Sequence, residues 1–156
     1  MATIHRINTS LGGVPKRAVA TAVITQRGIE GDKQAKPGIH GGIYKAVSLL
    51  AQEVIETIAA EGHPITPGSC GENLTIVGLD WSRMVPGVVL QIGNDVRLKI
   101  TSYATPCETI RGCFADGDVT RLHHKKHPGE SRVYAQVLTP GHIAVGDPIV
   151  ASFVQP

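Results

Sequence analysis

The run Val88-Val89-Leu90-Gln91-Ile92-Gly93-Asn94-Asp95-Val96-Arg97-Leu98-Lys99-Ile100-Thr101 decides the fold class. Two apolar segments, 88–92 and 96–101, flank Gly93-Asn94-Asp95, a composition suited to a tight turn, so the pair reads as a β-hairpin. In the second segment Val96, Leu98 and Ile100 alternate with Arg97, Lys99 and Thr101. That period of two buries one face of a strand and leaves the other wet.

Further along, Arg132 to Leu138 and His142 to Val150 read as a second hairpin-like pair around Thr139-Pro140-Gly141, with Gly146-Asp147-Pro148 breaking the last segment. Towards the N-terminus, Ala18 to Ile24 is another strand. The best helix runs from about Lys45 to Ala60, where Ala46, Val47, Leu50, Val54 and Ile58 recur at three- and four-residue steps and Gly62 and Pro64 supply a stop. Many short strands, Gly and Pro punctuation and one main helix predict a mostly β chain, an antiparallel barrel or folded sheet.

The 156 residues are the size of one domain, with no linker or repeat to divide them. A chain of this length buries roughly 70% of the surface its unfolded form exposes, so it needs neither disulfides nor a structural metal. Cys70, Cys107 and Cys113 form no CxxC pair, and reduced thiols in a reducing compartment are the simplest account. The net charge is +2, with a basic first third: seven Lys or Arg against two acids over residues 1–48. A nucleic-acid binder would show a stronger basic stripe with interleaved aromatics. No stretch approaches the roughly 20 apolar residues that span a membrane. The N-terminus lacks the apolar run of a signal peptide, so the expected location is the cytoplasm.

Three loops have compositions that packing alone does not require. Gly28-Ile29-Glu30-Gly31-Asp32-Lys33 followed by His40-Gly41-Gly42-Ile43-Tyr44-Lys45 combines glycines with donors at the expected helix start, where unpaired N–H groups favour an anion. Pro67-Gly68-Ser69-Cys70-Gly71-Glu72-Asn73-Leu74 reads either as a ligand-ordering loop or as a turn whose Glu72 and Asn73 satisfy local backbone groups. In Ser102-Tyr103-Ala104-Thr105-Pro106-Cys107 a strand stops at a proline and a cysteine follows. Loops after strands are where a rigid scaffold displays reactive groups. Arg111 nearby would favour a thiolate, against the commoner fate of a free cysteine as a buried apolar residue. A fourth cluster, His123, His124 and His127, lacks zinc-ligand spacing and reads as a solvated polar helix or loop.

Taken in order, Ser10-Leu11-Gly12-Gly13-Val14-Pro15-Lys16, Gly31-Asp32, His40-Gly41-Gly42, Lys45-Ala46-Val47, Gly71-Glu72-Asn73-Leu74, Gly78-Leu79-Asp80-Trp81, Pro106-Cys107 and Gly146-Asp147 resemble the MOSC domain, named for the C-terminal domain of molybdenum cofactor sulfurase. The resemblance covers nearly the whole chain and is that of a stand-alone, bacterial-type member. It implies a strongly bent antiparallel β-barrel-like fold with one main helix and short helices. It also implies a molybdenum–pyranopterin cofactor, with Cys107 as the metal ligand. His40, Lys45, Glu72 and Asn73 become candidate contacts to the pterin or its phosphate, with Thr105 and Arg111 beside the cysteine. Lys45 stands where the family often has Arg, which keeps the charge and loses the bidentate fork. The implied activity is reduction of a small N-hydroxylated compound to the amine with electrons from an external donor protein. The chain carries no cysteine pattern for an iron–sulfur cluster of its own. The alternative is a cofactor carrier or sulfur-transfer module using Cys107 as a persulfide carrier. No nucleic acid or membrane enters either reading.

Overall fold

The computed structural model describes residues 1–33 and 42–154. The strands are β1 (Ala2–Thr9), β2 (Arg17–Val19), β3 (Thr21–Thr25), β4 (Gly28–Ile29), β5 (Val47–Ala51), β6 (Leu74–Val77), β7 (Val89–Ile92), β8 (Val96–Tyr103), β9 (Val133–Thr139), β10 (Gly141–Ala144) and β11 (Pro148–Ser152). One α-helix, α1 (Gln52–Ala60), and four short 3₁₀ turns complete the described elements.

Seven strands close a barrel in the order β11-β7-β8-β9-β5-β6-β1, because β1 also pairs with β11 through Ala2 opposite Ile149 and Thr3 opposite Pro148. Closure removes the free edges that would otherwise invite aggregation. β2 lies outside the ring on β1, and β10, β3 and β4 make a separate three-stranded sheet. The fold is therefore the mostly β barrel with one main helix that the sequence implies. No helix among the described residues is long and apolar enough to cross a membrane.

The 88–101 hairpin is present: β7 and β8 pair antiparallel, from Val89 opposite Lys99 to Ile92 opposite Val96. Val96, Leu98 and Ile100 are buried while Arg97 and Lys99 are exposed, as the alternation requires. Ile4, Ile7, Leu49, Leu74, Leu90 and Leu98 are among the fully buried side chains of the core.

Three local expectations are corrected. The helix expected over Lys45–Ala60 is half strand: Val47–Ala51 forms β5, and only Gln52–Ala60 is helical. β5 is buried at all five positions, between β9 on one side and β6 on the other. A strand buried on both faces is a continuous apolar run, which also satisfies helical spacing. The β5–β6 ladder is parallel, so a crossover is required, and α1 supplies it. Glu53 in the first turn of α1 accepts the Gly78 N–H at 2.9 Å, tying the helix to the exit of β6. Gly42 leads into the 3₁₀ turn Ile43–Lys45 rather than into the α-helix; His40 and Gly41 lie outside the described residues.

Second, β9 does not pair with the strand after Thr139-Pro140-Gly141. Both edges of β9 are already taken by β8 and β5, so β10 turns away to β3 and β11 continues to β7 and β1. Third, Ala18–Ile24 is not one strand. The chain breaks at Ala20, leaving β2 on β1 and β3 on β10. The break at Gly146-Asp147-Pro148 is as expected. There Asp147 accepts the Ala144 N–H at 2.8 Å, and Gly146 donates to the Ile4 carbonyl at 2.9 Å.

Candidate functional site

A cleft with about 510 Å³ of empty space opens where several chain segments meet. Its wall includes Val14 and Lys16 from the β1–β2 connection, Lys45 and Ser48 around the start of β5, and Cys70 and Asn73 from the loop before β6. Cys107 and Ile110 after β8, with Arg132 and Tyr134 at the start of β9, close it.

The loop before β6 is set by glycine. Gly68 has φ +83°, and a Cβ there would lie 2.5 Å from the Lys16 carbonyl oxygen. That carbon is excluded because the Gly68 carbonyl accepts the Lys16 N–H at 2.9 Å, drawing the two backbones together. The Gly68 N–H donates to Glu72 Oε2 at 3.0 Å, and Thr75 Oγ1 donates to the same oxygen at 2.9 Å. Glu72 is wholly buried beneath the cleft rather than in its wall. Burial pushes its carboxyl above the usual range, opposed by the hydrogen bond from Gly68.

Asn73 does face the cleft, but its amide is already committed. Its Oδ1 accepts the Ser48 N–H at 3.0 Å, and its Nδ2 donates to Asp32 Oδ2 at 2.9 Å. Asp32 in turn accepts from Lys16 Nζ at 2.6 Å and from the Ser10 N–H at 3.0 Å. Lys16 and Asp32 are both buried, so this is an enclosed ion pair held by a network that ties β1, β5 and β6 together. Lys16 thus brings little net positive charge to the cleft.

Arg132 is different. It is 5% exposed, and its Nη1 donates to the Cys70 carbonyl at 2.8 Å. Its Nε and Nη2 are buried with no partner among the described residues. Trp81 Nε1 donates to the Ser131 carbonyl at 2.7 Å, and the Ala104 N–H donates to the Arg132 carbonyl at 3.0 Å, fixing the backbone on both sides. A buried guanidinium with open donors costs free energy that an anion in the cleft would recover. Lys45 Nζ lies 5.4 Å from the Tyr134 ring centroid, a cation–π contact that holds a second charge at the wall. Burial raises the pKa of Tyr134, so its phenol stays protonated.

Cys107 is half-buried in extended backbone (φ −131°, ψ 172°) and leads into the 3₁₀ turn Glu108–Cys113. β8 ends at Tyr103, so the cysteine does follow a strand end. The structure thus brings Cys107, Lys45 and Asn73 to one cleft. Glu72 lies under it, and Thr105 is exposed outside it. Arg111 is also outside: it points to solvent and pairs with Glu108 at 3.9 Å, so among the described residues the cations sharing the cleft with Cys107 are Lys16, Lys45 and Arg132. His40 lies outside the described residues.

Ser48, Arg132 and Tyr134 were not singled out by their sequence context. The available signal was a lone hydroxyl inside Ala46-Val47-Ser48-Leu49-Leu50 and an arginine opening an apolar strand. The histidine cluster lies elsewhere. His123 and His124 stack at 4.7 Å, His124 stacks on Tyr103 at 4.5 Å, and Arg121 bonds Glu61 at 2.7 Å.

A closed barrel with a parallel crossover, and a cleft lined by a strand-end cysteine and a buried arginine, define a small β-barrel domain with one cleft rich in polar and sulfur groups. Residues 36–150 match the sequence model of the MOSC domain, and the chain belongs to that family, which is associated with molybdenum cofactor binding. Protein YiiM of Escherichia coli (strain K12) is 25% identical over 131 residues, 81% of this chain and 57% of YiiM. The uncharacterized protein YflK of Bacillus subtilis (strain 168) is 29% identical over 138 residues, 86% of this chain and 60% of YflK. The chain therefore spans less than two thirds of either curated relative. The crystal structure of the YUAD protein from Bacillus subtilis superposes with a TM-score of 0.74 at 19% identity, covering 99% of this chain and 97% of the other, a likeness of fold.

Proposed function

We propose that this chain binds the molybdenum–pyranopterin cofactor in the cleft, through Cys107, and reduces small N-hydroxylated compounds to amines with electrons from an external donor protein. The observation that carries the reading is the sharing of one cleft by Cys107 and Arg132, a buried arginine whose Nε and Nη2 have no partner among the described residues. The residues suit the group chemically. A thiolate is the soft ligand that such a metal takes. Arg132 and Lys45 offer charge to a phosphate monoester.

When bound, the cofactor supplies two-electron and oxygen-atom chemistry. The protein's own contributions are separate. Cys107 would hold the metal. Arg132 is fixed by the Cys70 carbonyl and oriented before any ligand arrives. Asn73 and Ser48 shape the wall through mutual hydrogen bonds, and Glu72 positions Asn73 from below, acting through the backbone of its loop. Tyr134 Oη holds its proton at the cleft. The overall change, R–NHOH + 2 e⁻ + 2 H⁺ → R–NH₂ + H₂O, needs two electrons. Those electrons are assigned to a separate donor protein.

The test is turnover of an N-hydroxylated amidine by cofactor-loaded protein with a chemical reductant replacing the donor. Amidine formed by the wild type and lost in Arg132→Met and Cys107→Ser supports the reading. A loaded wild type that leaves the substrate intact refutes the reductase assignment. Labile sulfur on Cys107 of metal-free protein would replace it with the sulfur-carrier function.

A further inference from the structure

The three cysteines differ in access. Cys70 is fully buried and Cys113 is 4% exposed, whereas Cys107 is half-buried in the wall of the cleft. A reagent arriving from solution therefore meets Cys107 first.

The wall around Cys107 carries charge of one sign. Among the described residues its charged side chains are Lys16, Lys45 and Arg132, with no carboxylate. The acids close by in the fold or the chain are placed elsewhere. Asp32 is committed to Lys16 at 2.6 Å, which leaves that pair neutral. Glu72 lies beneath the cleft, where burial favours its neutral form. Glu108, next to Cys107, is exposed and pairs with Arg111 at 3.9 Å. Residues 34–41 and 155–156, outside the described part, contain no Asp or Glu. The positive charge of the wall thus comes from Lys45 and Arg132. Arg132 is the stronger of the two as an anion site. It is 5% exposed, and its Nε and Nη2 have no partner among the described residues. Little water screens a charge so placed, so it attracts an anion more than a surface lysine does.

We propose that, in the cofactor-free chain, Cys107 is a modification site for small carboxylate-bearing disulfides such as oxidised glutathione, gathered by the cationic wall and captured as a mixed disulfide. The Cys107 sulfur attacks one sulfur of the reagent. A new S–S bond forms, the old one breaks, and the departing half leaves as a thiol with the proton that Cys107 gave up. One thiol and one disulfide become one mixed disulfide and one thiol. The Cys107 sulfur is oxidised and the departing sulfur reduced, so the disulfide itself is the oxidant. The retained half keeps its carboxylate in the cleft that Arg132 lines. A chain capped in this way has no Cys107 thiol to offer a metal until a reducing thiol removes the cap. The capture concerns the cofactor-free chain alone and does not depend on the reductase reading.

The experiment uses the full chain, reduced, from a host that does not make the cofactor. Three dialkyl disulfides of similar length are compared: dithiodipropionate, which is anionic, bis-hydroxyethyl disulfide, which is neutral, and cystamine, which is cationic. Intact mass follows adduct formation, and a non-reduced peptide map places the adduct. Each rate is divided by that of N-acetylcysteine amide with the same disulfide, which removes differences between leaving groups. The expected result is one adduct, on Cys107, reversed by dithiothreitol. Its normalised rate should be about tenfold or more higher for dithiodipropionate than for the neutral disulfide, and lower again for cystamine. Salt should narrow that spread, and oxidised glutathione should label the same residue. In Arg132→Met the anionic-to-neutral ratio should fall several-fold. Normalised rates that do not follow charge, a first adduct on Cys70 or Cys113, or a folded Arg132→Met that keeps the wild-type ratio overturns the proposal. Where that variant folds poorly, the order of rates and its salt dependence in the wild type decide. None of these readouts involves molybdenum or turnover, so failure here is separate from failure of the reductase reading.

Discussion

Replacing Arg132 by Met should leave the cofactor-free protein about as stable as the wild type while abolishing its hold on an anion. The substitution keeps most of the apolar stem and removes the charge. One hydrogen bond is lost, from Nη1 to the Cys70 carbonyl, and a bond to a charged group contributes about 1.5–3 kcal/mol. Against that, the buried Nε and Nη2 no longer go without partners, and each such group costs about 1–3 kcal/mol. Taking the lower part of that range, because Arg132 lines the cleft, roughly 2–4 kcal/mol is recovered. The sum runs from about 1 kcal/mol less stable to about 2.5 kcal/mol more stable. Urea unfolding of cofactor-free wild type and variant at matched pH reads the difference. Phosphate added to both should raise the midpoint of the wild type alone. A variant less stable by more than about 2 kcal/mol would show that the guanidinium is fully satisfied by the protein, and the argument that it waits for a ligand would fall.

Glu72 makes stability depend on pH. Its folded pKa is raised above the ordinary 4.5 by burial, so the neutral form is favoured on folding. That contribution is fully present below about 4.5 and drains away as pH rises through the folded value; Glu72→Gln should flatten the decline in a series of urea midpoints. Gly68→Ala should cost at least about 2 kcal/mol, because it combines a left-handed backbone with a Cβ driven into the Lys16 carbonyl; thermal unfolding that matches the wild type would contradict the close approach. Asp32→Asn leaves the buried Lys16 ammonium without its carboxylate, 2.6 Å away in the wild type, and should cost about 3–5 kcal/mol in the same measurement. A loss under about 1 kcal/mol would mean that the pair is effectively solvated.

The barrel was legible where burial is one-sided. β8 alternates because one face meets the core and the other meets water, and its partner β7 announces itself through the turn between them. β5 reads as helix in the sequence because both its faces are buried, so it carries no alternation. Pairing partners were hidden for a different reason. Which edge of β9 is free depends on where β5 and β8 lie, and neighbouring segments in sequence say nothing of that.

The site divides in the same way. Cys107 was visible because a strand, a proline and a cysteine are consecutive. Lys45 and Asn73 came from the order of the loops in the family resemblance. Arg132 and Tyr134 were not seen, since a charged or aromatic residue at the start of a strand looks like ordinary strand edge until the fold buries it against Cys70. Glu72 shows the converse: a polar residue in a promising loop turns inward to hold Gly68 and Thr75. Arg111 was drawn to Cys107 by sequence proximity, but the 3₁₀ turn carries its side chain out to Glu108.

The central claim is that Cys107 holds a metal. Its most direct test is the molybdenum and pterin content of protein purified without oxygen from a host that makes the cofactor, wild type beside Cys107→Ser, with both folds checked by circular dichroism. Wild type carrying molybdenum and pterin in near-equal amounts, and a folded Cys107→Ser without the metal, is the predicted result. A folded Cys107→Ser that retains the wild-type molybdenum content would contradict it.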